Sequence, residues 1–520
     1  MKQFCVVNKI CTVLYCVMFV FTFKAMPAFA FENEFHGSYT LKYFVTNYEQ
    51  ASSGYILSGA TPSLPSGNST KNLRANNYFE QRARLHYTAK ASDDLKLVTA
   101  FEIDSAWGDK AQGSLTATNS SATSQTTTAA FRNSGGALES DAVNLETKWV
   151  YLDFKIPSIP TRVKAGIQPF KDSIKGIMFN FDGAGILAST TLGASAINTA
   201  YIRGYDESFF SAGTPISQAN VRGNQNLDIG VAEFGYALNK DTKLGVVYYL
   251  YADGRPLYLS STATTATDTS TQIHAVGLTG DAKVGPVALS GFAAYQGGVL
   301  RNINSAGDSA FLNAFAYNVA AKTQVGPGTL RTALLFTSGN DNNASTLKSK
   351  HLTGWVGVNQ SLNATWSSTS INSYDESSMI LLNRNALSTG TTTDYAIVYN
   401  IGNGTNTVNS QGLYLYTLGY DANITPKLFA SANAGAAWAA HTNALKPTDK
   451  SNNMQNATNY IGTEINFEAK YKIYENLSAK VQAAYVFLGG YYKNSVKDTN
   501  NSATDPDNPY TTRLVLQYVF

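Results

Sequence analysis

Apolar and polar residues alternate along much of this chain, and the alternation is clearest at the C-terminus. Within residues 511–520, Leu514, Leu516, Tyr518 and Phe520 share one set of alternate positions, and more polar residues fill the other. Successive side chains of a β-strand point to opposite faces, so this pattern predicts a strand with one apolar face. An apolar face that ends in two aromatic residues is typical of a barrel strand in contact with lipid. Taken alone, the stretch is also compatible with the edge strand of a soluble β-sandwich.

Period-two segments recur through the whole chain and predict about 18 strands, give or take two. Short turns with Gly, Pro, Asn or Asp alternate with long loops rich in Ser, Thr and Asn. This layout predicts an all-β fold, a single transmembrane antiparallel β-barrel with short periplasmic turns and long external loops. The predicted strands lie near residues 35–46, 79–90, 95–107, 145–156, 162–168, 181–190, 196–205, 227–238, 244–252, 273–283, 287–296, 311–322, 330–338, 413–422, 428–439, 461–473, 477–488 and 510–520.

Two strands and two loops depart from the regular pattern. The alternation switches face within residues 148–155, and residues 227–238 fit neither face well. The loop at residues 339–412 is far longer than an ordinary hairpin connection and contains apolar pieces, so it is expected to have structure of its own. This loop could fold into the barrel as a constriction or cover it from outside as a cap, and the sequence is compatible with both. Residues 166–190 are a second candidate for an inserted loop.

The N-terminal 30 residues have the features of a cleaved secretory signal. Lys2 and Lys9 precede an apolar run, and Ala28-Phe29-Ala30 supplies the small residues expected at a cleavage site. The mature barrel then spans residues 31–520. All three cysteines of the chain lie within this signal, so the mature protein has no thiol, disulfide or cysteine-based metal site.

The charge composition argues against a nucleic-acid partner. The chain has 39 basic and 36 acidic residues, and the signal contains three lysines and no acid, so the mature chain is balanced. Only 14% of residues are charged, and there are 31 tyrosines. An exported chain with few charges, many tyrosines and no apolar run of about 20 residues fits a β-protein better than a helical membrane protein.

One predicted hairpin shows how charged residues would be used. Pairing across the turn at residues 92–94 sets Arg84 opposite Glu102 and Arg82 opposite Asp104. Directly opposed residues have Cβ atoms about 5 Å apart, which suits ion pairs on a wet inner face. In a soluble sandwich the same face would have to be exposed to solvent, because burying so many charges is costly.

Four short segments resemble parts of known outer-membrane barrels. Residues 460–477 (YIGTEINFEAKYKIYENL) resemble the penultimate hairpin of porins from anaerobic, metal- and sulfate-reducing bacteria, with Glu464 and Glu468 on the expected lumen face. Residues 164–168 and 181–184 are loosely similar to alginate-export-type barrels, which have 18 strands. The ending with Tyr518 and Phe520 resembles the C-terminal assembly signal of such barrels. The resemblance implies a diffusion channel and supplies no solute.

These observations predict an outer-membrane porin, a passive diffusion channel for small hydrophilic solutes and ions. More of the predicted inward charges are basic than acidic, and most remaining acids are expected in loops, so a mild anion preference is predicted; the alternative is that the charges pair off and discriminate little. The residues expected to line the pore are Lys42, Arg82, Arg84, Glu102, Asp104, Arg162, Lys164, Arg331, Glu464, Glu468 and Arg513.

Other functions fit the sequence less well. A substrate-specific channel, for example for an acidic sugar or oligosaccharide, is the main alternative. An outer-membrane enzyme or a structural barrel is disfavoured, because the five histidines form no catalytic constellation with Ser and Asp. No catalytic residue, cofactor or metal is predicted. The expected partners are outer-membrane lipid, the barrel-assembly machinery and small solutes. A homotrimer would need a flat apolar side, which alternation alone does not identify.

Overall fold

A computed structural model of the protein describes most of the predicted strands and parts of the loops. The described residues are 32–48, 76–107, 116–117, 127–128, 145–206, 226–254, 271–301, 309–340, 351–358, 374–383, 397, 411–441, 448–456, 458–498 and 500–520. The predicted signal, with its three cysteines, lies outside them. Helical structure within these ranges consists of two short 3-10 turns, Asp375–Ser377 and Gly490–Tyr492. No helix there is both long enough and apolar enough to cross a membrane.

Eighteen long antiparallel strands form one closed barrel, which confirms the predicted fold and strand number. Each strand pairs with its neighbours in chain order, and the described parts of the loops contain seven additional two-residue strands. The barrel strands are β1 (Glu32–Thr46), β2 (Asn76–Ser92), β3 (Leu95–Ala106), β4 (Glu146–Lys155), β5 (Thr161–Lys171), β6 (Asn180–Leu192), β7 (Ser195–Asp206), β8 (Asn226–Asn239), β9 (Thr242–Asp253), β10 (Thr271–Val284), β11 (Val287–Leu300), β12 (Ala310–Val325), β13 (Gly328–Thr337), β14 (Leu413–Asn423), β15 (Leu428–Ala439), β16 (Tyr460–Tyr474), β17 (Leu477–Leu488) and β18 (Tyr510–Val519).

The first and last strands close the barrel. Residues 38–46 of β1 pair with residues 511–519 of β18 in antiparallel register. Because the number of strands is even, the start of β1 and the end of β18 lie at the same end of the barrel, together with the short turns. We call this the short-turn end and the opposite one the long-loop end.

The two faces of the barrel differ in chemistry. Large apolar side chains on the outer face are open to the surroundings, and Leu278 and Val319 are about 60% exposed. Charged and amide side chains occupy much of the inner face, where most of them are buried or half-buried. A β-sheet with this distribution satisfies its backbone groups within the barrel and presents an apolar exterior, as a lipid environment requires.

The inner face becomes apolar near the long-loop end of β8–β16. Ile229, Tyr249, Ile273 and Leu415 are buried there and belong to one hydrophobic cluster with residues of the connecting segments. This explains why residues 227–238 fit neither face. In β8 the inward residues are apolar at the long-loop end, whereas at the short-turn end the apolar residues point outward.

A bulge accounts for the change of face within β4. Ala100 pairs with Trp149, but the next residue of β3, Phe101, pairs with Thr147. Lys148 is therefore an extra residue in the ladder. A bulge of this kind shifts the alternation by one position, which is what the sequence pattern shows.

Candidate functional site: the inner face of the barrel and its inserted segments

The predicted ion pairs of the first hairpin are present. β2 and β3 pair with Arg84 opposite Glu102 and Arg82 opposite Asp104, so the predicted register is confirmed. Arg82 donates from Nε and Nη2 to the two carboxylate oxygens of Asp104, both at 2.6 Å. Arg84 donates from Nε to Glu102. Bidentate arginine–carboxylate contacts of this type fix geometry as well as charge.

The neighbouring strands continue this charged inner surface. Lys42 of β1 lies opposite Glu80, and Arg162 of β5 forms an ion pair with Asp153 of β4. The ammonium group of Lys164 lies 5.6 Å from the centre of the Tyr151 ring.

Three acids outside the predicted pore-lining set also lie on the inner face. Asp153 of β4, Asp421 of β14 and Glu233 of β8 face inward and form polar contacts there. The inner surface therefore has a smaller basic excess than the sequence indicated.

Arg331 spans three strands on the opposite wall. Its guanidinium donates to Asp421 at 2.7 and 3.0 Å and also to Asn433. Gly419 lies between these partners on β14, and a Cβ there would fall 2.8 Å from the guanidinium carbon. The absence of a side chain at Gly419 gives Arg331 room to lie across the strand.

A continuous row of polar residues crosses β14 to β18 at one level. Each member is directly paired with the next along the sheet. Gln482 donates to Glu468 at 2.6 Å, and Lys480 lies 3.4 Å from the same carboxylate. Arg513 is buried, with its guanidinium 5.3 Å from the centre of the Phe44 ring. We call these residues the inner row: Asp421, Ser431, Glu468, Gln482 and Arg513.

Glu464 differs from the other predicted pore-lining residues, because it is completely buried. Its carboxylate accepts three successive backbone N–H groups, from Ile380 at 2.7 Å, Leu381 at 3.0 Å and Leu382 at 2.6 Å. Asn466 donates to the same carboxylate at 2.7 Å. Glu464 is thus on the expected inward face, but it holds a segment of the long loop rather than meeting open solvent.

A second segment, residues 172–179, connects β5 to β6 and packs on the inner face against β8, β9 and β11. Asp172 accepts backbone N–H groups from Ile174, Gly176, Met178 and Phe179 at 2.7–2.9 Å. Burial raises the pKa of Asp172 to about 6, although the four N–H groups oppose this shift. An inserted segment is present in the candidate range 166–190, but it is confined to residues 172–179, because residues 166–171 and 180–190 belong to strands. An Asp followed by Gly four residues later was the available signal for this turn.

The two inserted segments also contact each other. Lys175 forms an ion pair with Glu376 at 2.9 Å. Trp355 donates from its indole nitrogen to the carbonyl oxygen of Ile177 at 3.1 Å. Gln296 on the inner face of β11 binds both backbone polar groups of Val356. Backbone and side-chain contacts therefore join residues 172–179, 351–358 and 374–383 to one another and to the barrel wall.

Among the described residues, the histidines do not form a catalytic arrangement with other side chains. His36 and His86 stack on each other on the inner face, with ring centres 4.8 Å apart. His274 lies on the outer face and contacts the Tyr248 hydroxyl at 2.8 Å. His351 lies in an inserted part of the long loop and its ring is 5.9 Å from that of Phe311. Within the described ranges, no group of three metal-ligating side chains is gathered.

At the C-terminus, the two aromatic residues singled out in the sequence lie together. The rings of Tyr518 and Phe520 are 5.6 Å apart and nearly parallel, and both side chains are exposed on the outside. Their position at the short-turn end is where an aromatic girdle would meet a lipid–water boundary.

Comparison with known proteins gives only distant structural likenesses. No protein-family model matches the chain, and no curated protein matches it. Solved structures with a similar arrangement include OccAB4 of Acinetobacter baumannii (11% identity, 94% of this chain and 98% of that chain, TM-score 0.48). OccK5 (OpdH) and the outer membrane protein OpdK, both of Pseudomonas aeruginosa, share 11% identity over the same proportions, with TM-scores of 0.47 and 0.46. Likenesses at this level are too remote to assign the chain to a family or to indicate a solute.

Proposed function

We propose that the protein is a porin-type channel of the bacterial outer membrane, through which small hydrophilic solutes and ions diffuse passively. The observation that carries this proposal is the contrast between the two faces of a closed 18-stranded barrel. The exterior presents exposed aliphatic and aromatic side chains, and the interior presents paired charges and amides. A barrel of this size is too wide for its own side chains to fill, so an aqueous path is expected.

In this proposal the inserted segments form the constriction of the channel rather than an external cap. Their described parts are bound to inward-facing residues of three separate strands, Gln296, Asn318 and Glu464. Segments fastened at several points around the inner wall narrow the path without closing it from outside. The remaining cross-section is expected between these segments and the charged wall formed by β1–β5.

The proposed selectivity is a mild preference for anions. Lys164 and Lys470 each lie about 5.6 Å from the centre of an aromatic ring, and neither forms an ion pair with a described residue. The inward acids Asp104, Asp153 and Asp421 each contact an arginine. Paired charges contribute little net field, so a small excess of lysines sets the sign and keeps the preference weak.

The proposed location in the outer membrane agrees with the sequence features of the two chain ends. Residues 1–30 would direct export and be removed, and Tyr518 and Phe520 would be recognised by the barrel-assembly machinery. The outer face would then contact outer-membrane lipid. A trimer of such barrels is a further proposal, tested by the size of the complex in mild detergent.

Conductance of the refolded mature protein in a planar bilayer tests the channel proposal. Under a KCl gradient, stepwise current increases are expected, with a small reversal potential of the sign that indicates anion preference. A folded barrel is identified independently by its changed gel migration after boiling. Absence of current from protein that is folded by this criterion would contradict a passive open channel, and a reversal potential of cation sign would contradict the proposed selectivity.

A further inference from the structure

A cavity of about 320 Å³ lies between the inner row and residues 378–380 of the inserted segment. Its size is at the lower end of the range for small-molecule binding sites, about 300–1,000 Å³. One wall is the barrel itself, and the other is the loop that Glu464 fixes in place. The charged side chains that line it are Arg331, Asp421, Glu468, Lys480 and Arg513, and the amides are Asn433, Asn466 and Gln482.

Acidic and basic side chains lie close together in the wall of this cavity. Arg331 is held by Asp421, with two hydrogen bonds of 2.7 and 3.0 Å. Lys480 and Glu468 form a looser pair at 3.4 Å, and each side chain is about one-fifth exposed. A solute with a single charge would meet unfavourable groups of its own sign here. A solute with both charges could contact each member of the looser pair.

One polar atom in the wall has no partner. The Nε2 group of Gln482 donates to Glu468 at 2.6 Å, whereas its Oε1 atom is buried and forms no hydrogen bond with any described residue. Gln482 is only 5% exposed. A buried acceptor without a partner is costly, and a ligand that brings an N–H or O–H donor would remove that cost.

We propose that this cavity binds small zwitterions, specifically neutral α-amino acids, on their way through the channel. The ammonium group would donate to Glu468 and the carboxylate would accept from Lys480, while a rotation of the Gln482 side chain would bring its buried Oε1 within reach of the ammonium group. Residues 378–380 would form the second wall, so the position of the inserted segment determines whether the site is complete. This inference rests on the proposed channel function and adds a solute class to it.

Binding is tested separately from conduction. The binding of L-alanine to the refolded mature protein in detergent is measured by isothermal titration calorimetry. Acetate, which carries only a negative charge, ethylammonium, which carries only a positive charge, and the uncharged polyol glycerol are titrated for comparison. Saturable binding of L-alanine, at least about tenfold tighter than each of the other three, is expected, because only the zwitterion supplies both charges. Equal binding of acetate would indicate an anion site, and equal binding of glycerol a polyol site; either result would overturn the zwitterion proposal.

Variants identify the site. Glu468→Gln, Lys480→Met and Gln482→Met should each weaken L-alanine binding about tenfold, as expected for the loss of one hydrogen bond to a charged group. Gln482→Met leaves every charge in place, so it remains informative if a charge variant fails to fold. The matched control is Lys472→Met, on the inner face of the same strand as Glu468 but outside the cavity.

The two proposals fail in different ways. Unchanged L-alanine affinity in all three site variants would refute the binding site, whatever the conductance. Normal binding in a folded protein that passes no current would refute the passive channel and leave the binding site intact. In bilayers, L-alanine is expected to reduce the KCl current of the unmodified protein saturably and that of Gln482→Met only at about tenfold higher concentration.

Discussion

Gly37 and Phe520 exchange two backbone hydrogen bonds, from Gly37 N–H to Phe520 O at 2.8 Å and from Phe520 N–H to Gly37 O at 3.0 Å. The Phe520 ring also lies across the glycine. A Cβ on Gly37 would fall 2.7 Å from a carbon of that ring and 2.4 Å from the carbonyl oxygen of Arg84. The last residue of the chain thus completes the seam between β1 and β18, and it does so opposite a residue without a side chain.

Replacing Gly37 with Ala should therefore lower the yield of closed barrel. The added methyl group must displace both the Arg84 carbonyl and the Phe520 ring, and overpacking of this kind costs about 1–3 kcal/mol. The measurement is the fraction of refolded protein that shows heat-modifiable gel migration. Gly230→Ala is the control, because its Cβ would make an ordinary contact of 3.5 Å with Leu250. Equal folding yields for both variants would show that closure tolerates a side chain at Gly37.

Removing the arginines of the first hairpin should shift ion selectivity toward cations. In the double variant Arg82→Ser/Arg84→Ser, the carboxylates of Glu102 and Asp104 lose the cations that contact them and leave uncompensated negative charge on the inner wall. The reversal potential in a KCl gradient should move in the cation direction and respond most at low salt.

The opposite change provides the control for this prediction. Glu102→Gln/Asp104→Asn keeps the shapes of the acids and leaves the two arginines uncompensated, so its reversal potential should move in the anion direction. If neither double variant changes the reversal potential, these two ion pairs lie away from the path of the permeating ions.

The strands and the hairpin pairs could be predicted from sequence because they depend on local rules. Period-two alternation identifies a strand wherever one face is apolar, and a tight turn then fixes which residues oppose each other. Arg84 and Glu102 are separated by one such turn. Faces became ambiguous at the Lys148 bulge, and in β8, where the inner face itself is apolar near the long-loop end.

The candidate site could not be predicted in the same way, because its contacts join distant parts of the chain. Glu464 holds backbone groups more than 80 positions earlier, and Arg331 reaches Asp421 across 90 positions. No periodicity links such residues. An inward glutamate that lines a pore and one that fastens a loop look identical in sequence, and only the position of the loop separates them.

Glu464→Gln should loosen the inserted segment and change the conductance. An amide offers one acceptor oxygen where the carboxylate offers two, and its NH2 group would face backbone N–H donors. Hydrogen bonds to a charged group contribute about 1.5–3 kcal/mol each, so the loss of charge alone is expected to weaken the attachment of residues 380–382 substantially. Larger or more frequently fluctuating single-channel currents are expected in planar bilayers.

The control for this prediction is Glu475→Gln, which removes the same charge in a solvent-exposed turn at the short-turn end. It should leave the size and the noise of the current unchanged. A Glu464→Gln channel indistinguishable from this control would mean that residues 374–383 do not limit the current.

The packing of residues 172–179 on the inner face should become less stable as the pH rises from about 4 to about 6. Burial raises the pKa of Asp172 to about 6 from an ordinary value near 3.8. Between pH 4 and 6, Asp172 holds its proton when residues 172–179 are packed on the inner face but would lose it if the segment were detached. The packed arrangement is therefore most stable below pH 4, and this stabilisation is lost as the pH rises through 6. A shift of two pKa units corresponds to about 3 kcal/mol as an upper bound.

Hydrogen-exchange protection factors of the Ile174, Gly176 and Met178 amides should fall between pH 4 and pH 6 and stay constant above pH 6. In Asp172→Asn the protection should no longer depend on pH, and a persistent slope in that variant would assign the effect to another group.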